Sequence, residues 1–417
     1  MPVFSLDPVQ TAWCAELREL AVGTLRPLAA RGEPGRVNRP LLAALAERGL
    51  LKRMFTGPPG VSPGGFPGAG GGSPAGCGPP PPGDPGDTGR ALELCLMRES
   101  LAYGCTEAET ALALQGLGAW PVARSGTPAQ RARWLPEVVA GRAVAAFALS
   151  EPGAGSDAAA LALRAVPDPR TGRDGWLLTG EKQWISNAPE ADFYTVFART
   201  AEGTGSRGIT AFLVPADRPG LSGSALEMLS PHPVGRLVFD STPVTPADVV
   251  GEPGRGFRVA MDTLNLFRPS VGAFAVGMAL AALDATLAHT AARTAFGGPL
   301  KDLQSVAHQV AEMATRTEAA RLLVLSAAAA HDAGDPEVPR RSAMAKLFAT
   351  ETAQYVVDTA VQLHGARALQ RGHLLEHLYR EVRAPRIYEG ASEIQRSVVA
   401  KALYPRHPAA RRRESGT

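Results

Sequence analysis

"AVAAFALSEPGAGSD", residues 143–157, decides the layout of this chain. Residues 143–149 are an unbroken run of small apolar groups with one aromatic, the composition of a short buried strand. Pro152, Gly153 and Gly155 then break it into a turn. A turn that carries Ser150, Glu151, Ser156 and Asp157 with two glycines exposes backbone amides, and those amides with Ser156 suit a polar or anionic ligand.

The texture differs on the two sides of this stretch. Before it, residues 10–51 are Ala/Leu-rich with Leu17, Leu20, Ala21 and Leu25 at helical spacing, and helical periodicity returns over 90–118 and from 128 to about 140. Between these lies 57–89, roughly two-thirds Gly and Pro, which cannot bury enough apolar surface to offset its ordering entropy and reads as a disordered insertion. After residue 157, "GWLLTGEKQWISNAPEADFYTVFART" (175–200), "GITAFLVPA" and "GRLVFD" carry β-rich runs punctuated by Gly and Pro to about Gly251. Beyond Gly256 the helical pattern resumes: Val306, Val310, Met313, Thr317, Ala320 and Val324 trace one helix face, and residues 343–363 and 394–403 trace others.

The expected fold is therefore mainly α with a central β domain. An N-terminal helical domain spans 1–142, a middle β domain 143–251, a C-terminal helical bundle 252–405, and a basic flexible tail 406–417. No alternating strand–helix units occur, which argues against a Rossmann nucleotide site and puts any cofactor between domains.

At 417 residues the chain exceeds one comfortable core, and 45% hydrophobic with 20% charged residues is a globular composition. The sequence carries no apolar run of about 18 residues and no secretory signature at the N-terminus, so no membrane partner and a cytoplasmic location are expected. Cys14, Cys77, Cys95 and Cys105 lack the pairing and nearby histidines of a zinc site and read as free thiols, mostly buried; no metal is expected. The net charge of +3 is small, and the basic tail "RHPAARRR" has no interleaved aromatics, which makes it a solvated end and not a nucleic-acid arm. His232, His364 and His373 have no partner pattern and receive no role.

Three further segments make poor core filler. "KQWISN" (182–187) puts Trp184 beside small polar groups, either as a packed indole or as a wall for a flat heteroaromatic ring. "RTAFGGPLKDLQ" (293–304) joins Arg293, Phe296 and Gln304 around a helix interruption; taken alone it is a solvated cation and a core anchor. "RIYEGASEIQR" (386–396) sets Glu389 between an aromatic and a glycine, one step before a helix start. That carboxylate is either a catalytic base or a group favoured by the positive end of the helix.

Taken together and in this order, "FALSEPGAGSD", "WISN", "RTAFGGPL" and "YREVRAPRIYEGASEIQR" resemble the acyl-CoA dehydrogenase family over roughly residues 90–405, closest in motif to its short-chain, butyryl type. The resemblance implies FAD as cofactor, a central β-barrel-like domain and a C-terminal four-helix bundle. It also implies α,β-dehydrogenation of an acyl thioester, on CoA or an acyl carrier protein, to the enoyl product. By the same likeness Phe147, Leu149, Ser150 and Ser156 line the flavin turn, with Ser156 also near the thioester, and Trp184, Ile185 and Ser186 lie against the flavin ring. Arg293, Phe296, Gln304, Gln362 and Gly365 match positions that hold the diphosphate and adenosine across a subunit interface, which implies a homodimer or homotetramer. Ala391 and Glu393 complete the cofactor set, and Asn265, Arg268, Tyr388 and Gly390 border the substrate. Glu389 matches the base that removes the Cα proton, a task that needs a well-positioned carboxylate with a raised pKa. Phe267 stands where some relatives carry their base instead. An electron-transferring flavoprotein is the implied acceptor.

The chain departs from the family pattern at Ala391, where a threonine is usual, and at Ala366, where a second glycine is usual. It also departs at Asn265, where many members have aspartate, and in "LSPHPVGRLVFD". With the Gly/Pro-rich insertion, these departures motivate an unusual acyl group, including a carrier-bound one. A flavin oxidase or monooxygenase on the same fold is the alternative enzyme; a flavin-bearing nucleic-acid-binding protein is the alternative outside enzymes.

Overall fold

The computed structural model describes residues 6–56, 90–169, 175–201 and 205–404. The Gly/Pro-rich insertion, Cys77 and the basic tail lie outside the described residues. The N-terminal part is helical: α1 (Pro8–Leu20), α2 (Arg26–Ala29), α3 (Arg39–Glu47), α4 (Leu50–Thr56), α5 (Arg90–Gly104), α6 (Thr106–Ser125) and α7 (Pro128–Val139). Local chemistry sets several starts. Asp7 and Gln10 satisfy each other's backbone N–H groups ahead of α1, Thr127 and Gln130 do the same ahead of α7, and a proline at the first position of each helix has no N–H to satisfy. The single helical run expected over 90–118 is two helices broken at Cys105, whose extended backbone cannot continue α5.

The middle part holds β1 (Ala145–Ala148), β2 (Arg164–Pro167), β3 (Trp176–Ser186), β4 (Phe193–Arg199), β5 (Ile209–Pro215), β6 (Leu221–Ala225), β7 (Val234–Val244) and β8 (Val249–Val250). They form one eight-stranded sheet in the order β6-β7-β3-β2-β4-β5-β8, with β1 parallel to β4. Nearly all side chains of β4 and β5 are buried, because helices cover this region: Trp134 of α7 packs on Phe193 with ring centres 4.6 Å apart. Gly118 lets α6 lie against β1, since a Cβ there would stand 2.5 Å from Ala146 N and 2.6 Å from Ala145 C.

The C-terminal part comprises α8 (Gly256–Ala292), a small hairpin of β9 (Thr294–Ala295) and β10 (Gly298–Pro299), α9 (Gln304–Asp332), α10 (Val338–His364), α11 (Leu374–Glu381) and α12 (Ser392–Leu403). Helices α8, α9 and α10 pack on one another, α12 packs on α10, and α5 lies across α8 and α9. The expected α9 face is the buried one, with Val306, Met313, Thr317, Ala320 and Val324 inside. The membrane reading needs one correction. α8 is long and apolar enough to cross a bilayer, but 72% of its apolar window is buried within the protein, as befits the central helix of a bundle. Cys14, Cys95 and Cys105 are free and buried.

Candidate active site

The turn after β1 is locked from below and open above. The buried Glu151 accepts from Lys182 Nζ at 2.7 Å, Leu163 N at 3.0 Å and Ala162 N at 2.5 Å, and Lys182 also donates to Leu149 O at 2.9 Å. Burial holds the Lys182 pKa down to about 8, against the pull of Glu151. Gln183 N donates to Ser150 O at 3.0 Å, which fastens the turn to β3 beside Trp184. At Gly153 and Gly155 an added Cβ would meet nothing within 4 Å, and Ser156 is exposed.

Trp184 is 47% exposed and takes a left-handed backbone, φ 58°. Its neighbour Ile185 points into the main core, and Leu149 into the core between sheet and helices, so these two candidates present backbone and not side chain. Phe147 is half-buried, 4.9 Å from Phe197, and Ser186 is half-buried.

A second group gathers where α8 and α10 end. Arg293 follows α8 and its N–H caps His289 O at 2.8 Å; Phe296, at the tip of the β9–β10 hairpin, is 92% exposed with φ 56°; Gln304 opens α9. His289 stacks on His364 at 4.1 Å, which draws the end of α10, with exposed Gln362 and Gly365, to the same corner. Gly365 has φ 66° and open space around it.

Glu389 lies in neither group but on the bundle. After a short helical turn at Ala384–Arg386 the backbone becomes left-handed at Glu389 (φ 51°) and Gly390 (φ 94°), and α12 begins only at Ser392. This corrects the expectation of an immediate helix start: Glu393, and not Glu389, occupies the first turn of α12. The Glu389 carbonyl accepts from Arg268 Nε at 3.2 Å and Gln395 Nε2 at 3.1 Å, and the Gly390 carbonyl accepts from Lys346 Nζ and Gln395 Nε2, both at 2.8 Å. Arg268 Nη1 donates to Asn265 Oδ1 at 3.3 Å. The backbone is thus clamped while the carboxylate is not. Glu389 Oε2 is buried with no hydrogen-bond partner, and the Glu389 N–H has no acceptor among the described residues.

Burial raises the Glu389 pKa above the usual carboxylate value, opposed by the charges of Arg98, Lys346 and Arg268. Burial in turn pulls Lys346 down to about 8. Tyr388 stands at the rim, 37% exposed. Ala391 precedes α12 without a side-chain cap, and Ser392 Oγ instead donates to Glu351 at 2.6 Å. Phe267 is buried and offers no rival carboxylate. Sequence reasoning missed Arg98, Lys346 and Gln395; the signal available was a buried charge inside apolar helix faces, as in "ELCLMRESLA".

The residue types exposed at these two places are those that a flat ring and a diphosphate need. The exposed indole of Trp184 offers a flat wall, the glycine turn offers free space beside backbone amides, and the Arg293 corner offers a cation and an open glycine.

Three family profiles match the chain: the acyl-CoA dehydrogenase N-terminal domain over 78–142, the middle domain over 146–242 and the C-terminal domain over 254–404. The short-chain specific acyl-CoA dehydrogenase of Bos taurus mitochondria is 38% identical over 316 residues, 75% of this chain and 76% of that protein. The probable acyl-CoA dehydrogenase FadE25 of Mycobacterium tuberculosis is 37% identical over 316 residues, 75% of this chain and 80% of its own. Among solved structures, butyryl-CoA dehydrogenase from Megasphaera elsdenii superposes with a TM-score of 0.80 at 29% identity, covering 96% of this chain and 99% of the other. The chain belongs to the acyl-CoA dehydrogenase family, oxidoreductases acting on CH–CH bonds of acyl-CoA, whose members bind FAD.

Proposed function

We propose that this protein removes the Cα proton and the Cβ hydride of an acyl-CoA thioester to give the α,β-enoyl thioester, with Glu389 as base. The observation that carries this reading is the buried, unpartnered Oε2 of Glu389 on a backbone clamped by Arg268, Gln395 and Lys346. A raised pKa makes the carboxylate a stronger base for a weakly acidic proton. The free N–H of Glu389 supplies a donor for the negative charge that develops on the thioester oxygen as the proton leaves. FAD, when bound, supplies the acceptor for the hydride, so the substrate loses two electrons and its Cα proton goes to Glu389. Trp184, Phe147 and the 150–156 turn would hold the ring end; Arg293, Phe296, Gln304, Gln362 and Gly365 would hold the diphosphate and adenosine.

An exposed Phe296 on a hairpin tip supports a site completed by a second copy of the chain, and an electron-transferring flavoprotein is the acceptor this reading requires. The test is an anaerobic visible spectrum of the FAD-loaded protein before and after a panel of acyl-CoA thioesters, beside Glu389→Gln. Bleaching by at least one thioester, lost in the variant, is expected. Failure of every thioester to bleach the flavin, with carrier-bound acyl groups included, would overturn the reading.

A further inference from the structure

The segment that carries Glu389 is a loop closed at its neck by one side chain. Arg386 Nη2 donates to Glu351 Oε2 at 2.8 Å, and Ser392 Oγ donates to Glu351 Oε1 at 2.6 Å. Two residues on either side of the base therefore meet on the two oxygens of a single carboxylate of α10. Glu389 is the midpoint, three residues after Arg386 and three before Ser392. Few backbone bonds fix the loop from within. The N–H groups of Ile387 and Tyr388 both reach back to Ala384 O, at 2.8 Å and 3.2 Å, but those of Glu389, Gly390 and Ala391 have no acceptor among the described residues.

Helix α10 holds this loop at two levels. Lys346, 0% exposed, donates to Gly390 O at the apex, and Glu351, five residues further along the helix, closes the neck. Arg268 and Gln395 add contacts at the apex alone. Contacts to two neighbouring carbonyls leave a loop free to pivot about that point, and a second attachment at the neck removes the pivot.

The chemistry of residue 351 fits this task. A carboxylate has two acceptor oxygens, one for a guanidinium and one for a hydroxyl hydrogen. Burial raises the Glu351 pKa, but the hydrogen bonds from Ser392 and Arg386 more than offset it and the net shift is downward, which keeps the group ionised at neutral pH. The Glu351 and Arg386 side chains are each 31% exposed, and an ion pair so placed adds little stability by itself. What it supplies is alignment.

We propose that Glu351 is a positioning residue for the base: by closing the neck of the 386–392 loop it fixes the aim of the Glu389 carboxylate. The proposal rests on Glu389 being the base.

The experiment compares Glu351→Ala, which removes both neck contacts, with Glu351→Gln, whose amide can accept from Arg386 through its oxygen and donate to Ser392 Oγ through its nitrogen. Three quantities are read on the FAD-loaded protein. Amide hydrogen exchange over 386–395 is followed by mass spectrometry without substrate. The limiting rate of anaerobic flavin reduction is measured with the acyl-CoA thioester that bleaches the parent fastest, and the Kd of that thioester is measured in the Glu389→Gln background. In Glu351→Ala, exchange over 386–395 is expected to quicken about tenfold. Its limiting rate falls about 100-fold, the effect of a misplacement of about 1 Å, while Kd changes less than about threefold because no contact to substrate is lost. Glu351→Gln recovers the rate to within about fivefold of the parent. Ser392→Ala, which opens one side of the neck and leaves the ion pair, falls between the parent and Glu351→Ala and serves if the latter does not fold. Unchanged exchange, a limiting rate within about threefold of the parent, a loss that appears in Kd instead, or a glutamine variant no better than alanine overturns the proposal. Failure of every thioester to bleach the parent sinks the catalytic reading, and the exchange measurement still decides whether Glu351 closes the loop.

Discussion

Substituting Gly390 by alanine tests whether the backbone around Glu389 is the device that aims the base. Gly390 has φ 94°, a region in which a Cβ costs about 1–2 kcal/mol. The new methyl would also collide with Gln395 Nε2, which donates to both the Glu389 carbonyl and the Gly390 carbonyl. Displacing that amide forfeits two hydrogen bonds of about 1 kcal/mol each. The total loss is about 3–4 kcal/mol, to be read from urea denaturation of the FAD-loaded protein. If the loop relieves the collision by shifting Glu389 by about 1 Å, the rate of anaerobic flavin reduction falls by about 100-fold. Gly23→Ala is the control, since a Cβ there meets nothing within 4 Å and the position is helical, so it is expected to be neutral or stabilising by about 0.5–1 kcal/mol. A Gly390→Ala protein with unchanged denaturation midpoint and a reduction rate within about threefold of the parent would show that neither the clamp nor the left-handed backbone aims the base.

Lys182→Met leaves Glu151 buried without its cation and is expected to cost about 3–5 kcal/mol in urea denaturation; a loss below about 1 kcal/mol would mean the pair does not hold the turn. The rate of flavin reduction is expected to rise with pH through the Glu389 pKa, above the ordinary carboxylate range, because only the ionised form accepts the proton. The cations that oppose this shift come from three helices, Arg98 on α5, Arg268 on α8 and Lys346 on α10, so Arg98→Met moves the limb to higher pH; an unmoved limb in stopped-flow profiles refutes that coupling. Burial lowers the His232 pKa, but the Glu381 carboxylate at 2.5 Å more than offsets it and the net shift is upward. The stability this pair contributes is therefore full below about pH 6.5 and lost as pH rises through the folded pKa. Thermal midpoints of the parent and His232→Gln should converge as pH rises, and a gap that widens toward alkaline pH would contradict it.

The helix–sheet–helix order was legible because periodicity is local: the α9 face from Val306 to Val324 and the apolar strand before Pro152 needed no partner to be recognised. The candidate base was legible only through the motif around it, since one carboxylate beside a glycine has many uses. What sequence could not give was the direction of side chains whose backbone departs from regular structure. Ile185 and Leu149 sit in the motif segments yet face the cores, whereas Trp184 turns outward through a left-handed backbone that no alternation rule anticipates. The partners of Glu389 were equally hidden, because Arg98, Arg268, Lys346 and Gln395 lie far apart along the chain and meet only when α5, α8, α10 and α12 pack.

Five non-glycine residues among those described have a positive φ, and three of them are Trp184, Phe296 and Glu389, one from each group of candidate site residues. A left-handed backbone at a bulky residue costs about 1–3 kcal/mol and persists only where surrounding contacts over-determine it. At Glu389 those contacts are visible as four hydrogen bonds to two consecutive carbonyls, leaving the carboxylate itself free. At Phe296 no comparable burial is present among the described residues, for the ring is 92% exposed. The same strain without the same support argues that what holds Phe296 in place lies outside the described residues, as the proposed two-copy cofactor site would require.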